Sequence, residues 1–148
     1  MTDLLEPQQC DAVLEIGAGV GYQAAVLAEL VTQVYSIELI EELGMEARRR
    51  LGHLGYRNVE VRVGNGYYGW PERAPFDKII VTAAPDLIPP PLIAQLKLGG
   101  KMVIPTGIPD DQHLVLVEKS ADGKLVTRDI LQVRFSELEQ GGDLVGQA

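Results

Sequence analysis

The run Glu15-Ile16-Gly17-Ala18-Gly19-Val20-Gly21-Tyr22 constrains this chain more than any other feature. It stands between a β-rich run, Ala12 to Ile16, and a helix-forming stretch, Tyr22 to Val31. Glycines there let the backbone turn sharply and approach a ligand with no Cβ in the way. Strand, glycine turn and helix in that order open a nucleotide-type βαβ unit. Apolar runs of strand length alternate with helical patterns along the rest of the chain, which argues for an α/β domain with a mainly parallel sheet. The 148 residues fit one such domain.

The second β-rich run is Gln33 to Ile37, ending at Glu38. Ile40 to Leu54 repeats apolar residues at helical spacing, with Gly55 as its stop. Gly44 and Gly52 lie inside that segment, and each costs a helix about 1 kcal/mol against alanine, so a weak helix is expected. Val59 to Val63 reads as the third strand and Ile79-Ile80-Val81 as the centre of the fourth. Pro89-Pro90-Pro91 suits a helix start, and that helix is expected to reach about Leu98 and end at Gly99-Gly100. Met102 to Ile104 is the fifth strand. His113 to Lys119 and Leu125 to Phe135 pair as a hairpin around Asp122-Gly123.

Composition excludes several classes. The formal net charge is -8, and no basic stripe interleaves with aromatics, so nucleic acid is a poor partner. The run Arg48-Arg49-Arg50 follows Glu41, Glu42 and Glu46 at helical spacing, as on a solvated ion-paired face. No apolar run reaches the ~18 residues of a membrane span. One cysteine, Cys10, allows no intrachain disulfide, and a reducing cytoplasm is the simplest home. No metal-ligand cluster stands out, and His53 and His113 read as solvent-facing or structural.

The chemistry concentrates after the first three strands. Glu38 lies about 20 residues beyond Gly17, where a carboxylate accepts hydrogen bonds from both hydroxyls of a ribose. The glycine spacing is G-x-G-x-G, whereas a dinucleotide site is usually G-x-G-x-x-G. Glu15 precedes the first glycine by two positions. An acid there would repel a pyrophosphate and favour the cationic aminoacyl end of S-adenosylmethionine, so these features favour S-adenosylmethionine over NAD. Gly64-Asn65-Gly66 follows the third strand, where a side chain could reach an adenine edge. The same residues also suit an ordinary Asn-Gly turn.

Taken together, several segments resemble the protein-L-isoaspartate O-methyltransferase family. They are Val13 to Ala25, Val34 to Glu38, Gly55 to Val59, Gly64-Asn65-Gly66 with Gly69-Trp70, and above all Phe76-Asp77-Lys78-Ile79-Ile80-Val81-Thr82-Ala83-Ala84. Ile88-Pro89, Gln95-Leu96-Lys97, Gly99-Gly100, Val103-Ile104-Pro105 with Gly107, and Val133-Arg134-Phe135 extend the match over nearly the whole chain. The resemblance implies a Rossmann-like class I methyltransferase fold: a mainly parallel seven-stranded sheet, helices on both faces and a C-terminal antiparallel pair. It implies methyl transfer from S-adenosylmethionine to the α-carboxylate of L-isoaspartyl residues in damaged proteins. Its cofactor contacts map onto Glu15, Gly17, Ala18, Gly19, Val20, Gly21, Glu38, Leu39, Asn65 and Gly66, and its substrate lining onto Thr82, Ala83 and Ala84. No catalytic acid or base is assigned, because the carboxylate nucleophile is already ionised at neutral pH.

Two departures from the family pattern matter. Asn65 stands where the family usually has Asp. It keeps an acceptor oxygen but loses the charge, so weaker adenine binding is expected. The family also has an N-terminal substrate region before the first strand, and Met1 to Leu5 resembles only its end. Residues 1–148 are thus expected to be one cofactor-binding domain, N-terminally truncated relative to the family. An uncovered sheet face would then favour self-association. Two other readings stay open: a cofactor-binding module without catalysis, and a methyltransferase for another small acceptor.

Overall fold

Alternation along the first strand sets the two sides of the molecule. In β1 (Ala12–Ile16), Val13 enters one buried cluster, and Leu14 and Ile16 enter another. Successive strand residues point to opposite faces, so a strand covered on both sides must be apolar on both. On the Val13 side lie Leu5 of α1 (Thr2–Leu5), Ala24 and Leu27 of α2 (Tyr22–Leu30), and Ala47 and Leu51 of α3 (Glu41–His53). On the Leu14 side lie Leu92 of α4 (Pro90–Gln95) and Trp70, whose ring meets Tyr35 edge-on at 5.4 Å. Each fully buried leucine or isoleucine contributes about 1.5–3 kcal/mol. The computed structural model describes residues 2–19, 21–135 and 138.

The remaining strands are β2 (Gln33–Glu38), β3 (Val59–Val63), β4 (Phe76–Val81), β5 (Leu96–Ile108), β6 (Asp111–Lys119) and β7 (Leu125–Val133). Their order in the sheet is β3-β2-β1-β4-β5-β6-β7. The first five are parallel; β6 is antiparallel to both of its neighbours. The chain therefore leaves β1 in opposite directions, and this switch point is where open α/β sheets bind ligands. Register does the rest. Ile16 pairs with Ile37 on one side and Val81 on the other, and Glu38 pairs with Val63. The residues at or just beyond the strand ends are thus brought to one edge: Gly17, Glu38, Gly64-Asn65 and Thr82.

One expectation needs correcting. α4 ends at Gln95, not near Leu98, and β5 starts at Leu96, well before Met102. Leu96 pairs with Phe76, but the next pair is Lys101 with Lys78, so the intervening residues loop out as a bulge. Gly99, at φ +82°, takes the conformation that this irregularity needs. Gly99-Gly100 is a bulge inside a strand and not the end of a helix. Gly44 in α3 also has a packing role. A Cβ there would lie 2.8 Å from Val63 Cγ2 and 3.5 Å from Glu38 Cβ. Its missing side chain lets α3 pack closely on the ends of β2 and β3, which sets packing against the low helix propensity of glycine.

Candidate functional site

A cavity of about 290 Å³ opens at the shared strand edge, near the lower end of the roughly 300–1,000 Å³ usual for ligand pockets. Its walls are Ile16, Gly17, Gly19, Ile37, Glu38, Leu39, Ile40, Asn65, Gly66, Thr82, Ala83 and Leu138.

The glycine loop is held from below. The amides of Gly17 and Ala18 both donate to Ile37 O, at 2.8 and 3.2 Å. Gly17, Gly19 and Gly21 all have positive φ (+95°, +55° and +98°), a region that side-chain-bearing residues enter only with strain. Glu38 closes the ring. Its Oε1 accepts from Gly19 N at 2.7 Å and its Oε2 from Ile40 N at 3.1 Å. A carboxylate offers about four lone-pair sites, so Glu38 can brace the loop and still accept from a ligand. Gly66 allows a second close approach, since a Cβ there would fall 2.2 Å from Ile16 Cγ2.

Asn65 divides its two polar atoms. Its Oδ1 accepts from Tyr67 N at 2.9 Å and caps the short 3₁₀ turn Gly66–Tyr68, while its Nδ2 is buried with no partner. The oxygen that the sequence left available for a ligand is therefore already engaged.

Glu15 lies beneath the loop, fully buried and off the cavity wall. Ser36 Oγ donates to its Oε1 at 2.7 Å, and Oε2 has no partner. Burial disfavours the charged form and pushes this carboxyl up to about 7. The Ser36 hydrogen bond pulls it down and the nearby Glu38 charge adds a smaller upward push.

Of the residues singled out from sequence, Gly17, Gly19, Glu38, Leu39, Asn65, Gly66, Thr82 and Ala83 line the cavity. Ala18, Gly21 and Ala84 do not. Ala18 is buried in the core. Gly21 faces α3, where a Cβ would touch Ala47 and Leu51 at 3.4 Å. Ala84 is buried, and its carbonyl accepts from Leu138 N at 2.9 Å. Val20 lies outside the described residues. Sequence reasoning missed Ile16, Ile37, Ile40 and Leu138. Ile16 ends β1 just before the glycine loop and Ile37 directly precedes Glu38 in β2, positions that could have marked them. Nothing local marks Leu138.

A larger depression, of about 460 Å³, lies between α2 and α3 beside Tyr22, Glu46, Arg49, Arg50, His53 and Leu54. Arg50 stacks on Tyr22 and pairs with Glu46 at 3.1 Å, an exposed arrangement of small energetic weight. Chemistry rather than size makes the strand-edge cavity the candidate. His113 stands apart, its ring nitrogens 2.9 Å from Asp111 and 3.0 Å from Asp129. Those carboxylates raise its pKa and tie together the β6–β7 hairpin.

A sheet of this order, with a glycine loop and an acidic residue at its switch point, defines the class I methyltransferase fold. A Plasmodium falciparum protein described under the isoaspartate methyltransferase name, solved in complex with S-adenosyl-L-homocysteine, superposes with a TM-score of 0.76 at 21% identity, over 94% of this chain and 69% of its own. The model of the Protein-L-isoaspartate(D-aspartate) O-methyltransferase family matches residues 1–142, and the chain belongs to that family. A protein-L-isoaspartate O-methyltransferase from a Polaromonas species is 68% identical over 139 residues, 94% of this chain and 59% of its own length. One from Nitrosospira multiformis is 59% identical over 142 residues, 95% of this chain and 60% of its own. A solved protein-L-isoaspartate O-methyltransferase reaches a TM-score of 0.86 at 35% identity, covering 97% of this chain and 46% of that one. The chain thus spans about 60% of the length of the curated relatives it matches.

Proposed function

We propose that the chain binds S-adenosylmethionine in the strand-edge cavity and, as in its family, serves methyl transfer to the α-carboxylate of L-isoaspartyl residues in damaged proteins. The observation that carries this reading is Glu38. Its carboxylate sits on the cavity wall, braced by two backbone amides, with acceptor capacity left for ribose hydroxyls. The unpartnered Oε2 of buried Glu15 fits the same ligand, because the carboxyl, when ionised, favours the α-ammonium group and sulfonium of the cofactor.

S-adenosylmethionine, held along Glu38 and the glycine loop, would supply a sulfonium-activated methyl group for the acceptor carboxylate, with its sulfur leaving as a neutral thioether. The protein's share is alignment and exclusion of water, which needs no general base. Thr82 and Ala83, at the β4 end of the cavity, are proposed to face the acceptor. A reducing cytoplasm suits the single exposed Cys10. Self-association is proposed through the uncovered sheet face, where Val126 and Leu131 of β7 lie exposed.

The test is transfer of labelled methyl from S-adenosylmethionine to an isoaspartyl peptide, with the aspartyl peptide as control. Base-labile label on the isoaspartyl peptide alone is the expected result. The alternative reading is a cofactor-binding module without turnover. Cofactor binding with no label transferred would select that module.

Asn65 carries its own prediction. In Asn65→Asp one carboxylate oxygen keeps the cap on Tyr67 N–H, and the other replaces an orphaned donor with an acceptor for an adenine amino group. Affinity for S-adenosylmethionine should rise about fivefold, the worth of roughly 1 kcal/mol of hydrogen bonding. Unchanged or weaker binding by calorimetry would count against it.

A further inference from the structure

We propose that the hydroxyl of Thr82 is a positioning group for the Gly17 peptide, and so shapes the end of the cavity that receives the cofactor's charged aminoacyl tail. The inference rests on the cofactor reading above and deepens it.

Sheet order orients the ligand. The cavity runs across the strand ends in the order Asn65 after β3, Glu38 at the end of β2, Gly17 after β1 and Thr82 after β4. With the ribose at Glu38, base and tail leave in opposite directions. The β3 side offers Leu39, Ile40 and Asn65, a mostly apolar wall suited to a base. The β1–β4 side offers the bare backbone of Gly17 and Gly19, which leaves room for the ammonium and carboxylate of the tail.

At that end the Gly17 peptide is clamped from both neighbouring strands. From β2, Ile37 O accepts the Gly17 N–H at 2.8 Å. From the β4 side, Thr82 Oγ1 lies 3.0 Å from Ile16 O and 3.2 Å from Gly17 O, so its single proton serves two consecutive carbonyls. The Thr82 N–H also donates to Ile16 O, at 3.0 Å. The hydroxyl further fills the space that Gly17 leaves open, since a Cβ on Gly17 would lie 2.1 Å from Thr82 Oγ1. Glycine at 17 and a hydroxyl at 82 therefore fit as a pair. A residue needed only to pack could be valine, which has the same shape; a residue needed to hold carbonyls could be serine.

The experiment measures binding by calorimetry for the wild-type chain, Thr82→Val and Thr82→Ser. Two ligands are compared: S-adenosylhomocysteine, and 5′-methylthioadenosine, which keeps the nucleoside and lacks the aminoacyl tail. Thr82→Val should weaken S-adenosylhomocysteine about tenfold, as expected when a carbonyl loses its donor, and leave methylthioadenosine within about twofold. Thr82→Ser should bind both ligands within about twofold of wild type. Thr82→Val binding S-adenosylhomocysteine like wild type would overturn the proposal. So would equal loss of both ligands, or failure of serine to restore binding. If the wild-type chain binds neither ligand, the cofactor reading itself fails and this inference falls with it.

Discussion

Gly17→Ala should weaken cofactor binding roughly a hundredfold and lower the stability of the chain. Two independent features of position 17 exclude a side chain. Its φ of +95° lies where residues bearing a Cβ are strained, at a cost of order 1–3 kcal/mol. The added carbon would also fall 2.1 Å from Thr82 Oγ1, far inside contact distance. Either the loop lifts off β4 or Thr82 turns away and releases Ile16 O and Gly17 O. Both routes deform the cavity wall, and roughly a hundredfold loss of affinity follows from about 3 kcal/mol of misfit. Gly52→Ala is the control. Gly52 lies within α3, with nothing within 4 Å of its Cβ position, so alanine there should stabilise by about 0.5–1 kcal/mol. Calorimetry and thermal melts of the two variants read both effects. A Gly17→Ala chain that binds and melts like wild type would show the loop to be an ordinary turn.

Glu15→Gln should trade affinity for stability in a pH-dependent way. Burial raises the Glu15 carboxyl from its ordinary 4.5 to about 7. For an acid raised by folding, the stabilising contribution is complete below the unfolded value and is lost as pH rises through the folded one. Between pH 4.5 and 7 the wild-type chain should therefore lose on the order of 3 kcal/mol from this group. Glutamine does not titrate, and it can still accept from Ser36. Denaturant unfolding at pH 5 and pH 8 should show a smaller decline for the variant, by about that amount. Binding should move the other way. Above pH 7 the variant lacks the buried negative charge and should bind cationic S-adenosylmethionine more weakly than wild type. The gap should narrow as pH falls below 7 and wild-type Glu15 is protonated. Parallel stability profiles for the two proteins would contradict the burial argument.

The parts of this molecule that were legible in its sequence are those with local causes. A G-x-G-x-G loop between a strand and a helix, an acid at the end of the next strand and an Asn-Gly pair after the third can each be read from a few neighbouring residues. The loop and Glu38 do line one cavity, because register aligns the ends of β1, β2 and β4. What local reading missed depends on partners far along the chain. Gly99-Gly100 has the composition of a helix stop, yet it forms a bulge because Leu96 already pairs with Phe76. Gly44 looks like a helix weakness until Val63 and Glu38 are seen packed against it. Gly21 belongs to the same glycine pattern as Gly17, but its neighbours are Ala47 and Leu51 of α3. Asn65 shows the limit most clearly. Its residue type announces an acceptor and a donor, and only the fold shows that Tyr67 N–H takes the acceptor.

Whether the strand edge holds S-adenosylmethionine is decided by calorimetric titration of the wild-type chain at pH 8, with S-adenosylhomocysteine as competitor. Saturable one-to-one binding that the competitor displaces is the expected result. No binding of either ligand by a chain that melts cooperatively would contradict it, because the folded strand edge would then hold a glycine turn and a carboxylate without the ligand they are argued to share.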